Sequence, residues 1–529
     1  MKLSIKPTIT VLGYALTMLT AQAETKKPNI VFLFSDDHAL NAISAYGGRL
    51  AEVAPTPNID KLAEQGAIFK NSFCANSICG PSRANILSGK HSHKNGFIRN
   101  AGGGGFDRSQ WTFIKELGKH GYQSAVIGKW HLKTKPTGFD YWEILPGQGN
   151  YYNPDFIQMD GKRKRVHGYV TDITTDKALK WIDERDKSKP FMLMCQYKAP
   201  HRTFAPAMRH LKSFDGVKIP EPDSLFDDYS NRSKTLPKNE MEIDRHMWWQ
   251  YDIKLRKDEM RGAKLPGIIG GPIEYVRMNK SQKQEWDAHF RPQNKKFIDA
   301  YKAGKVNHKQ MVQWKYQRYM KNYLGTVKSV DENVGRVVDY LEKNGLSDNT
   351  IVIYSSDQGF YLGEHGWYDK RWMFEESFKM PFLIKWPGVI KPGSKPDALI
   401  QNIDYAPTFL EMAGVKAPAE VQGESLVPIL KGEEEKVRDT LYYAYYELGE
   451  HRVPQHFGVR TQRYKLFYIP ETDEWQMFDL EKDPNEMRSI YGEKFYADVQ
   501  KDMLERYHAI RKEVEAPSYE KYAPRKRMK

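Results

Sequence analysis

Residues 29–37 read NIVFLFSDD, an almost continuous apolar run that ends in two carboxylates. A run of this kind suits a strand that is buried on both faces, as in a parallel sheet. Helical patterns, such as residues 58–66 and 308–345, lie between this run and others like it. Strands that alternate with helices predict an α/β fold. The further apolar runs stand at residues 124–127, 191–194, 350–354 and 381–384.

Two regions depart from this alternation. Residues 211–307 carry many charges, aromatic residues and turn residues without a strand pattern, and we expect an insertion over the sheet, either functional or decorative. After Pro418 the pattern changes to short antiparallel strands and one late helix. The sequence therefore predicts a larger domain over residues 24–435 and a smaller α+β subdomain over residues 436–529.

The first residues have the features of a secretory signal peptide. Lys2 and Lys6 precede a mostly apolar run at residues 9–20, and Ala21-Gln22-Ala23 matches an A-x-A cleavage site. A short membrane anchor is the alternative, but the run is short for crossing a bilayer, and no later stretch is long and apolar enough. We expect cleavage after about Ala23, no stable membrane span, and a periplasmic or secreted protein.

The composition limits the classes of partner that we expect the protein to bind. The 529 residues carry 81 Lys and Arg against 67 Asp and Glu, a net charge of +14, which favours polyanionic partners or a solvated basic surface without one. Export argues against nucleic acid. Three cysteines exclude an even disulfide framework, and whether Cys74 and Cys195 pair is left open.

Acidic residues follow two of the predicted strands. Asp36 and Asp37 end the first run, and Asp357 with Gln358 follows the run at residues 350–354. In open α/β sheets, ligands bind at the carboxyl ends of the strands. Capping of a following helix is the alternative role for Asp36 and Asp37. An all-oxygen set that converges at one edge favours Ca²⁺ or Mg²⁺ over zinc.

The segment SICGPSRANILSG, residues 77–89, carries a candidate nucleophile. Pro81 suits the first position of a helix and Gly89 suits its end. Cys79 then lies at a helix N-terminus, where free N–H groups favour an anion, and Arg83 can point at the same anion. A cysteine there is a nucleophile candidate rather than a buried packing residue.

These residues form longer motifs. Cys79-x-Pro-Ser-Arg83, followed by Leu-Ser-Gly89, resembles the signature of the type I sulfatases, a family of the alkaline phosphatase-like superfamily. Other segments resemble the family along most of the chain. They are Pro28-Asn29-Ile30-Val31 with Asp36-Asp37, Gly128-Lys129-Trp130-His131, Ala199-Pro200-His201, Asp357-Gln358-Gly359, and Gly363-Glu364-His365-Gly366 with Lys370.

The resemblance implies a large mixed, mostly parallel sheet sandwiched by helices, with a smaller C-terminal α+β subdomain that contains an antiparallel sheet. It also implies that Cys79 is oxidised to formylglycine by a formylglycine-generating or anaerobic sulfatase-maturating enzyme. One Ca²⁺ per chain is implied, Mg²⁺ being less expected. Its ligands would be Asp36, Asp37, Asp357, Gln358 and residue 79. Gln358 departs from the family, since many members have Asn or His there.

The resemblance assigns roles to the remaining residues. Arg83, Lys129 and Lys370 would neutralise charge on the sulfate oxygens. His131 would lie near the formylglycine hydroxyl, and His201 or Lys370 would act at the leaving oxygen. Lys129 and His131 are two residues apart, so an extended chain would place them on one face.

The substrate is the least determined feature. An exported basic hydrolase suits a sulfated polysaccharide or oligosaccharide, such as an algal galactan, an ulvan or a glycosaminoglycan, including the 6-O-sulfate of an aminosugar. His456 and Arg460 are predicted sugar contacts in the C-terminal subdomain, and residues 162–165 are either an anionic subsite or a solvated loop. The competing functions are a phosphonate or phosphodiester hydrolase of the same superfamily and an inactive polyanion-binding protein.

Overall fold

The computed structural model describes residues 26–522. The predicted signal peptide at residues 1–23 and the basic tail at residues 523–529 lie outside the described residues. Within the described range, no helix is both long and apolar enough to cross a lipid bilayer.

The strands follow the predicted runs and add shorter ones. They are β1 Asn29–Asp36, β2 Ala67–Ile68, β3 Ser72–Phe73, β4 Gln123–Lys129, β5 Tyr141–Leu145, β6 Asp155–Ile157, β7 Arg163–Arg165, β8 Phe191–Pro200, β9 Thr350–Ser356, β10 Phe382–Lys385, β11 Ile400–Gln401, β12 Leu441–Tyr445, β13 His456–Arg460, β14 Tyr464–Ile469 and β15 Glu474–Asp479.

The α-helices lie between these strands and within the insertion. They are α1 Pro57–Glu64, α2 Cys79–Ser88, α3 Ser92–Asn95, α4 Phe113–Lys119, α5 Val170–Glu184, α6 Ile243–His246, α7 Ile273–Arg277, α8 Lys280–Lys302, α9 His308–Lys343, α10 Glu375–Phe378, α11 Tyr405–Met412, α12 Val427–Lys431 and α13 Ala497–Glu513.

A nine-stranded sheet forms the centre of the fold, in the order β2-β10-β9-β1-β8-β4-β5-β6-β7. The five strands from β9 to β5 are parallel, and the strands at both margins are antiparallel. Successive side chains of β1 enter two different apolar cores, Phe32 on one face and Val31 on the other. Burial on both faces explains why this strand reads as a continuous apolar run.

The parallel strands set the position of the site. The carboxyl ends of β1, β4, β8 and β9 lie at one edge of the sheet, and these ends carry Asp36, Lys129, Pro200 and Ser356. Polar residues immediately after these strands therefore come together, as the sequence predicted.

The insertion at residues 211–307 is more helical than the sequence suggested. It contains the 23-residue helix α8, which begins with a capping box between Asn279 and Gln282. Insertion residues Trp249 and Phe297 pack with Tyr319 of α9 in a third apolar core. The insertion is thus an integral layer of the large domain.

A separate four-stranded antiparallel sheet, β12-β13-β14-β15, lies in the C-terminal part, and α13 packs against it. Ala444 of β12 donates a backbone hydrogen bond to Ala75 O, 3.1 Å away, just before the nucleophile segment. The domain boundary at residues 435 and 436 stays a prediction. Cys74, Cys79 and Cys195 are each buried and unpaired.

Candidate active site

Helix α2 carries Cys79 as its first residue. The helix begins two residues earlier than predicted, so Pro81 is its third residue rather than its first, and Ile78 is the N-cap. Gly89 ends the helix in the left-handed conformation, as predicted. Burial raises the pKa of the Cys79 thiol despite the nearby charges of Lys129 and Lys370, so the unmodified side chain is a protonated thiol and a weak nucleophile.

Arg83 joins the helix to the neighbouring strand ends. Its Nε and Nη2 donate to Asp357 Oδ2 at 3.1 and 3.0 Å, and its Nη1 donates to Lys129 O and to Gln196 Oε1, both at 2.8 Å. The guanidinium therefore holds the site together instead of pointing freely at an anion. Gln196 was missed by the sequence analysis, although a polar residue inside the apolar strand β8 is a usable signal.

Acidic side chains converge beside Cys79. One ligand atom each from Asp36, Asp37, Cys79 and His201 lies within 4.8 Å of the others. Asp37 has a positive φ of 65°, and its N–H donates to Asp357 Oδ1 at 3.1 Å. The structure thus brings together the strand ends that the sequence paired.

Two oxygens in this cluster are buried without a hydrogen-bond partner among residues 26–522, Asp36 Oδ1 and Gln358 Oε1. The amide nitrogen of Gln358 instead donates to Asp37. Buried polar atoms are almost always paired, so these two oxygens are suited to a ligand. Hard oxygen donors and carboxylates fit a divalent cation such as Ca²⁺.

The formal charges of the buried carboxylates and cations in the site sum to zero when all six groups are ionised. Lys370 Nζ lies 2.8 Å from both carboxylate oxygens of Asp37, and Lys129 Nζ contacts Asp36. Burial raises the pKa of Asp37 to about 8, against the charge of Lys370. A divalent cation would leave the cluster with an excess of two positive charges, which complements a sulfate ester. The balanced charges are three carboxylates, Asp36, Asp37 and Asp357, and three cations, Arg83, Lys129 and Lys370.

His131 does not continue strand β4. Its φ is 59°, so the chain turns after Lys129 and the predicted extended alternation of the two residues is wrong. His131 Nε2 lies 3.2 Å from Gln148 Nε2, and its Nδ1 is buried without a partner within the described range. Burial, with the charges of Lys129 and Arg83, lowers the pKa of His131, which keeps the ring neutral.

His201 faces the carboxylates from the end of β8. Its Nε2 lies 3.5 Å from Asp37 Oδ2, and its Nδ1 donates to Arg202 O at 2.6 Å. That bond fixes the neutral tautomer with an unprotonated Nε2. Burial, with the charge of Lys129, lowers the pKa of His201 as well.

Asp369 and Arg371, which flank Lys370, form a cluster of polar side chains with His451 that the sequence analysis missed. Asp369 and Arg371 both have positive φ, 79° and 105°. Arg371 Nε lies 3.3 Å from Asp369 Oδ1, and His451 Nε2 lies 3.6 Å from Asp369 Oδ2. Such backbone conformations are costly for these residue types and cluster at functional sites. The signal in the sequence was the charged run Asp-Lys-Arg around a predicted site lysine.

His456 and Arg460 are not brought to this cluster, and the prediction of direct sugar contact is corrected. His456 is fully buried and lies 4.8 Å from the Trp372 ring. Arg460 Nη2 pairs with Glu375 at 3.1 Å, and its guanidinium lies over the Phe73 ring. Both side chains support the interface beneath the C-terminal sheet.

Comparisons with family models, with known sequences and with solved structures all find similarity to sulfatases. The family model described as Sulfatase matches residues 28–415, and the model described as N-sulphoglucosamine sulphohydrolase, C-terminal, matches residues 363–513. N-acetylglucosamine-6-O-sulfatase of Bacteroides thetaiotaomicron is 47% identical over 491 residues, which is 91% of this chain and 86% of that protein. The human N-acetylglucosamine-6-sulfatase is 28% identical over 80% of this chain and 68% of its own.

A solved structure of a protein in complex with its substrate, D-glucosamine-2-N,6-O-disulfate, superposes with a TM-score of 0.86. It is 46% identical, and the match covers 93% of this chain and 98% of that one.

Proposed function

The chain belongs to the sulfatase family and is a sulfuric ester hydrolase, and we propose that it removes the 6-O-sulfate from N-acetyl- or N-sulfo-glucosamine units of glycosaminoglycan-type saccharides. The observation that carries the substrate is the 47% identity to an N-acetylglucosamine-6-O-sulfatase over 91% of the chain. We propose further that the protein is exported to the periplasm or beyond the cell, because residues 1–23 have signal-peptide features.

The proposed cofactor is one Ca²⁺. Asp36, Asp37, Asp357 and Gln358, with residue 79, would hold it, and two unpartnered buried oxygens support this assignment. Bound there, the cation would stabilise negative charge that develops on the sulfate oxygens. Lys129 and Lys370 contribute charge of the same sign from the protein itself.

Residue 79 is proposed to act as hydrated formylglycine. One geminal hydroxyl loses its proton to a carboxylate of the site, and its oxygen attacks the sulfate sulfur. The bond from sulfur to the sugar oxygen breaks, that oxygen takes a proton from Lys370 or His201, and the sugar leaves as an alcohol. The second hydroxyl loses its proton, the bond from carbon to the sulfate oxygen breaks, and inorganic sulfate leaves while the aldehyde is restored. Water then rehydrates the aldehyde. The buried, protonated Cys79 thiol supports this conversion, because the thiol itself is poorly activated.

Two histidines are proposed to move the protons. His131 lies beside the first turn of α2, and its buried Nδ1 has no partner among residues 26–522. It takes the proton of the second hydroxyl there when the Gln148 amide is turned so that Oε1 accepts from Nε2–H of the ring. His201 has Nε2 close to Asp37, and together with Lys370 it stands where the leaving sugar oxygen requires a proton. Both roles need pKa values that differ between the free and the substrate-bound site.

The test is release of inorganic sulfate from a panel of saccharides by protein made in a host that converts Cys79. The panel holds N-acetylglucosamine 6-sulfate, N-sulfoglucosamine 6-sulfate, galactose 6-sulfate and a 2-O-sulfated uronate disaccharide. We expect release from the two glucosamine 6-sulfates, loss of release in Cys79→Ala, and a strong decrease after chelation that Ca²⁺ reverses.

Mass spectrometry of residue 79 is the control. Confirmed formylglycine with no sulfate from either glucosamine substrate would contradict the proposed substrate. Cleavage of a phosphonate monoester by the same preparation would then point to the other branch of the superfamily. Saccharide binding by wild type and Cys79→Ala with no turnover of any ester would support an inactive polyanion-binding protein.

A further inference from the structure

The segment at residues 97–105 lies directly beside the nucleophile. Gly80 N donates to Asn100 Oδ1 at 3.2 Å. A Cβ at Gly80 would lie 2.6 Å from Phe97 Cε1 and 3.3 Å from His131 O. The segment and the chain around His131 therefore enclose together the first turn of α2, which begins at Cys79.

Arg99 in this segment carries a charge that no residue in the range 26–522 neutralises. Its side chain is half-buried, and its Nε and Nη1 are shielded from solvent and make no hydrogen bond with any described residue. No carboxylate of the described chain forms an ion pair with it. A buried donor without a hydrogen bond costs about 1–3 kcal/mol of stability, and more when the donor is charged. A guanidinium in this state is suited to a ligand that supplies acceptors.

Lys133 is a second cationic residue that borders this segment. It follows His131 by two residues, has a φ of 60°, and is exposed. Its Nζ donates to Gly103 O at 3.1 Å, and a Cβ at Gly103 would lie 3.6 Å from Arg99 Cγ. Gly103 is thus in contact with both cationic residues. Four consecutive glycines at residues 102–105 allow a ligand to approach the backbone closely.

The loop is held in place from the other side. Glu447, which follows strand β12 closely, accepts hydrogen bonds from Asn100 N at 2.8 Å and Ala101 N at 3.1 Å. The Glu447 carboxylate is therefore occupied by hydrogen bonds to the backbone of the loop. Arg99 therefore keeps a charge without a partner in the described part of the chain, while a residue next to β12 fixes the position of the loop.

We propose that Arg99 and Lys133 form a second anion-binding subsite beside Cys79, which binds a second sulfate or a carboxylate on the glycan whose 6-O-sulfate is cleaved. This inference rests on the proposed function. A guanidinium binds sulfate or carboxylate through paired N–H donors, and an ammonium adds charge without fixed geometry. The anion has two sources in such glycans, an N-sulfate on the same glucosamine or the carboxylate of a neighbouring uronic acid.

The test compares kcat/KM for three substrates that share the 6-O-sulfate. They are N-acetylglucosamine 6-sulfate, N-sulfoglucosamine 6-sulfate, and a disaccharide of N-acetylglucosamine 6-sulfate with a uronic acid. We expect Arg99→Gln to lower kcat/KM for one dianionic substrate about 10- to 100-fold, at least tenfold more than for the monoanionic one. Arg99→Lys should recover part of the loss. Lys133→Gln should act in the same direction more weakly.

The matched control is Lys135→Gln, an exposed lysine two residues beyond Lys133. It should change none of the three values. Selective loss on the N-sulfated sugar identifies the N-sulfate as the ligand, and selective loss on the disaccharide identifies the carboxylate. Equal loss on all three substrates, or no loss on any, overturns the subsite.

A binding measurement separates this inference from the proposed function. Calorimetry compares Cys79→Ala with Cys79→Ala/Arg99→Gln, using N-sulfoglucosamine 6-sulfate and the uronate disaccharide as the probes. A tenfold weaker affinity in the double variant for either probe supports the subsite even when wild type releases no sulfate. Equal affinities for both probes overturn it regardless of turnover.

Discussion

Gln148 orients the catalytic-site residue His131 after the chain has left strand β4. Its amide lies 3.2 Å from His131 Nε2, while the other ring nitrogen is buried and unpartnered on the far side. The hydrogen bond at Nε2 decides which nitrogen carries the proton. Gln148 is therefore placed to position His131 for the proton transfer that we propose.

Replacement of Gln148 should lower turnover more than binding. We expect Gln148→Leu to decrease kcat about tenfold or more with little change in KM, since the ring keeps its place but loses its orientation. Gln148→Glu, which preserves a hydrogen-bonding group, should recover part of kcat. Steady-state kinetics on the best substrate of the panel tests this, and an unchanged kcat in Gln148→Leu would refute the positioning role.

Single residues were predictable where they follow an apolar run. Asp36, Asp37 and Asp357 stand at strand ends, and the parallel sheet brings them together without further information. Gln196 and Gln148 were not predictable as partners, because each contact joins segments far apart in sequence. The sugar contact predicted for His456 was misjudged because this histidine stands in a polar stretch of sequence but is fully buried among aromatic rings.

At the scale of elements, side-chain hydrogen bonds from the insertion at residues 211–307 hold the segment that carries His201 in place; we call these contacts the clamp. Arg202 donates to Asp252 through Nε and Nη2 at 2.8 and 2.7 Å. Glu274 of α7 accepts from Thr203 Oγ1 at 3.1 Å. The insertion is thus tied to the residues next to His201 and is more than decoration.

Breaking this clamp should affect both stability and turnover. Asp252 is fully buried, so Asp252→Asn leaves a poorly compensated guanidinium and should cost about 3–5 kcal/mol of unfolding free energy. We expect kcat to fall as well, because the His201 segment loses its anchor. Asp258→Asn, in the same insertion but about half exposed at its side chain, is the matched control and should change little. Equal effects of the two variants would contradict the clamp.

Helix α10 begins with two glutamates in opposite electrostatic situations. Glu375 pairs with Arg460 and Lys465, and although burial opposes it, these charges lower its pKa. Glu376 has a buried oxygen without a partner in the described chain, and burial with nearby carboxylates raises its pKa. The contributions of these two adjacent glutamates to the stability of the fold should therefore change with pH in opposite directions.

Glutamine variants test that difference. Above the ordinary glutamate value of 4.5, the unfolded chain releases the Glu376 proton that the folded protein retains, so wild type loses stability as pH rises. Glu376→Gln should be more stable than wild type, by a margin that grows from about pH 5 to about pH 8. Glu375→Gln should be less stable, by a margin that shrinks as pH falls through the lowered pKa. Urea denaturation at about pH 5 and about pH 8 measures the Glu376→Gln margin, and denaturation at about pH 3 compared with about pH 5 measures the Glu375→Gln margin. A destabilised Glu376→Gln at about pH 8 would be the contrary result.

The elements themselves were predictable to different degrees. Runs buried on both faces of the sheet are unambiguous, and α9 matches its predicted range almost to the residue. Helix α8 was missed because its surface is mainly polar and Pro292 lies inside it. The start of α2 was misplaced because Pro81 was taken as the first helical residue, whereas Ile78 provides the N-cap.

Across the whole molecule, the proposed Ca²⁺ would link β1, β9 and α2, and its removal should be visible in global stability. A ligand at about 100 times its Kd stabilises the folded state by about 2.7 kcal/mol. We therefore expect Ca²⁺ to raise Tm and chelation to lower it. Asp37→Asn should abolish most of the shift, while Asp258→Asn should keep it. Thermal unfolding with and without Ca²⁺ tests this, and an equal shift in Asp37→Asn would exclude this site as the cause.

The basic balance of the whole chain takes on a local meaning in the structure. The net charge of +14 alone did not choose between partners. Arg99, whose Nε and Nη1 contact no partner among residues 26–522, places part of that positive charge in the segment that borders the first turn of α2, where we propose that an anionic glycan binds. Charge of this kind accelerates encounter with an anionic substrate and weakens with added salt.

All ten residues of α2 are buried, and Cys79 is 1% exposed. A second enzyme could reach this thiol in the finished protein only by pulling the helix out of its core. The proposed oxidation of residue 79 must therefore happen while the chain is still nascent or unfolded, before the helix docks. We therefore expect a chain that folds before the proposed oxidation to keep the thiol form of residue 79.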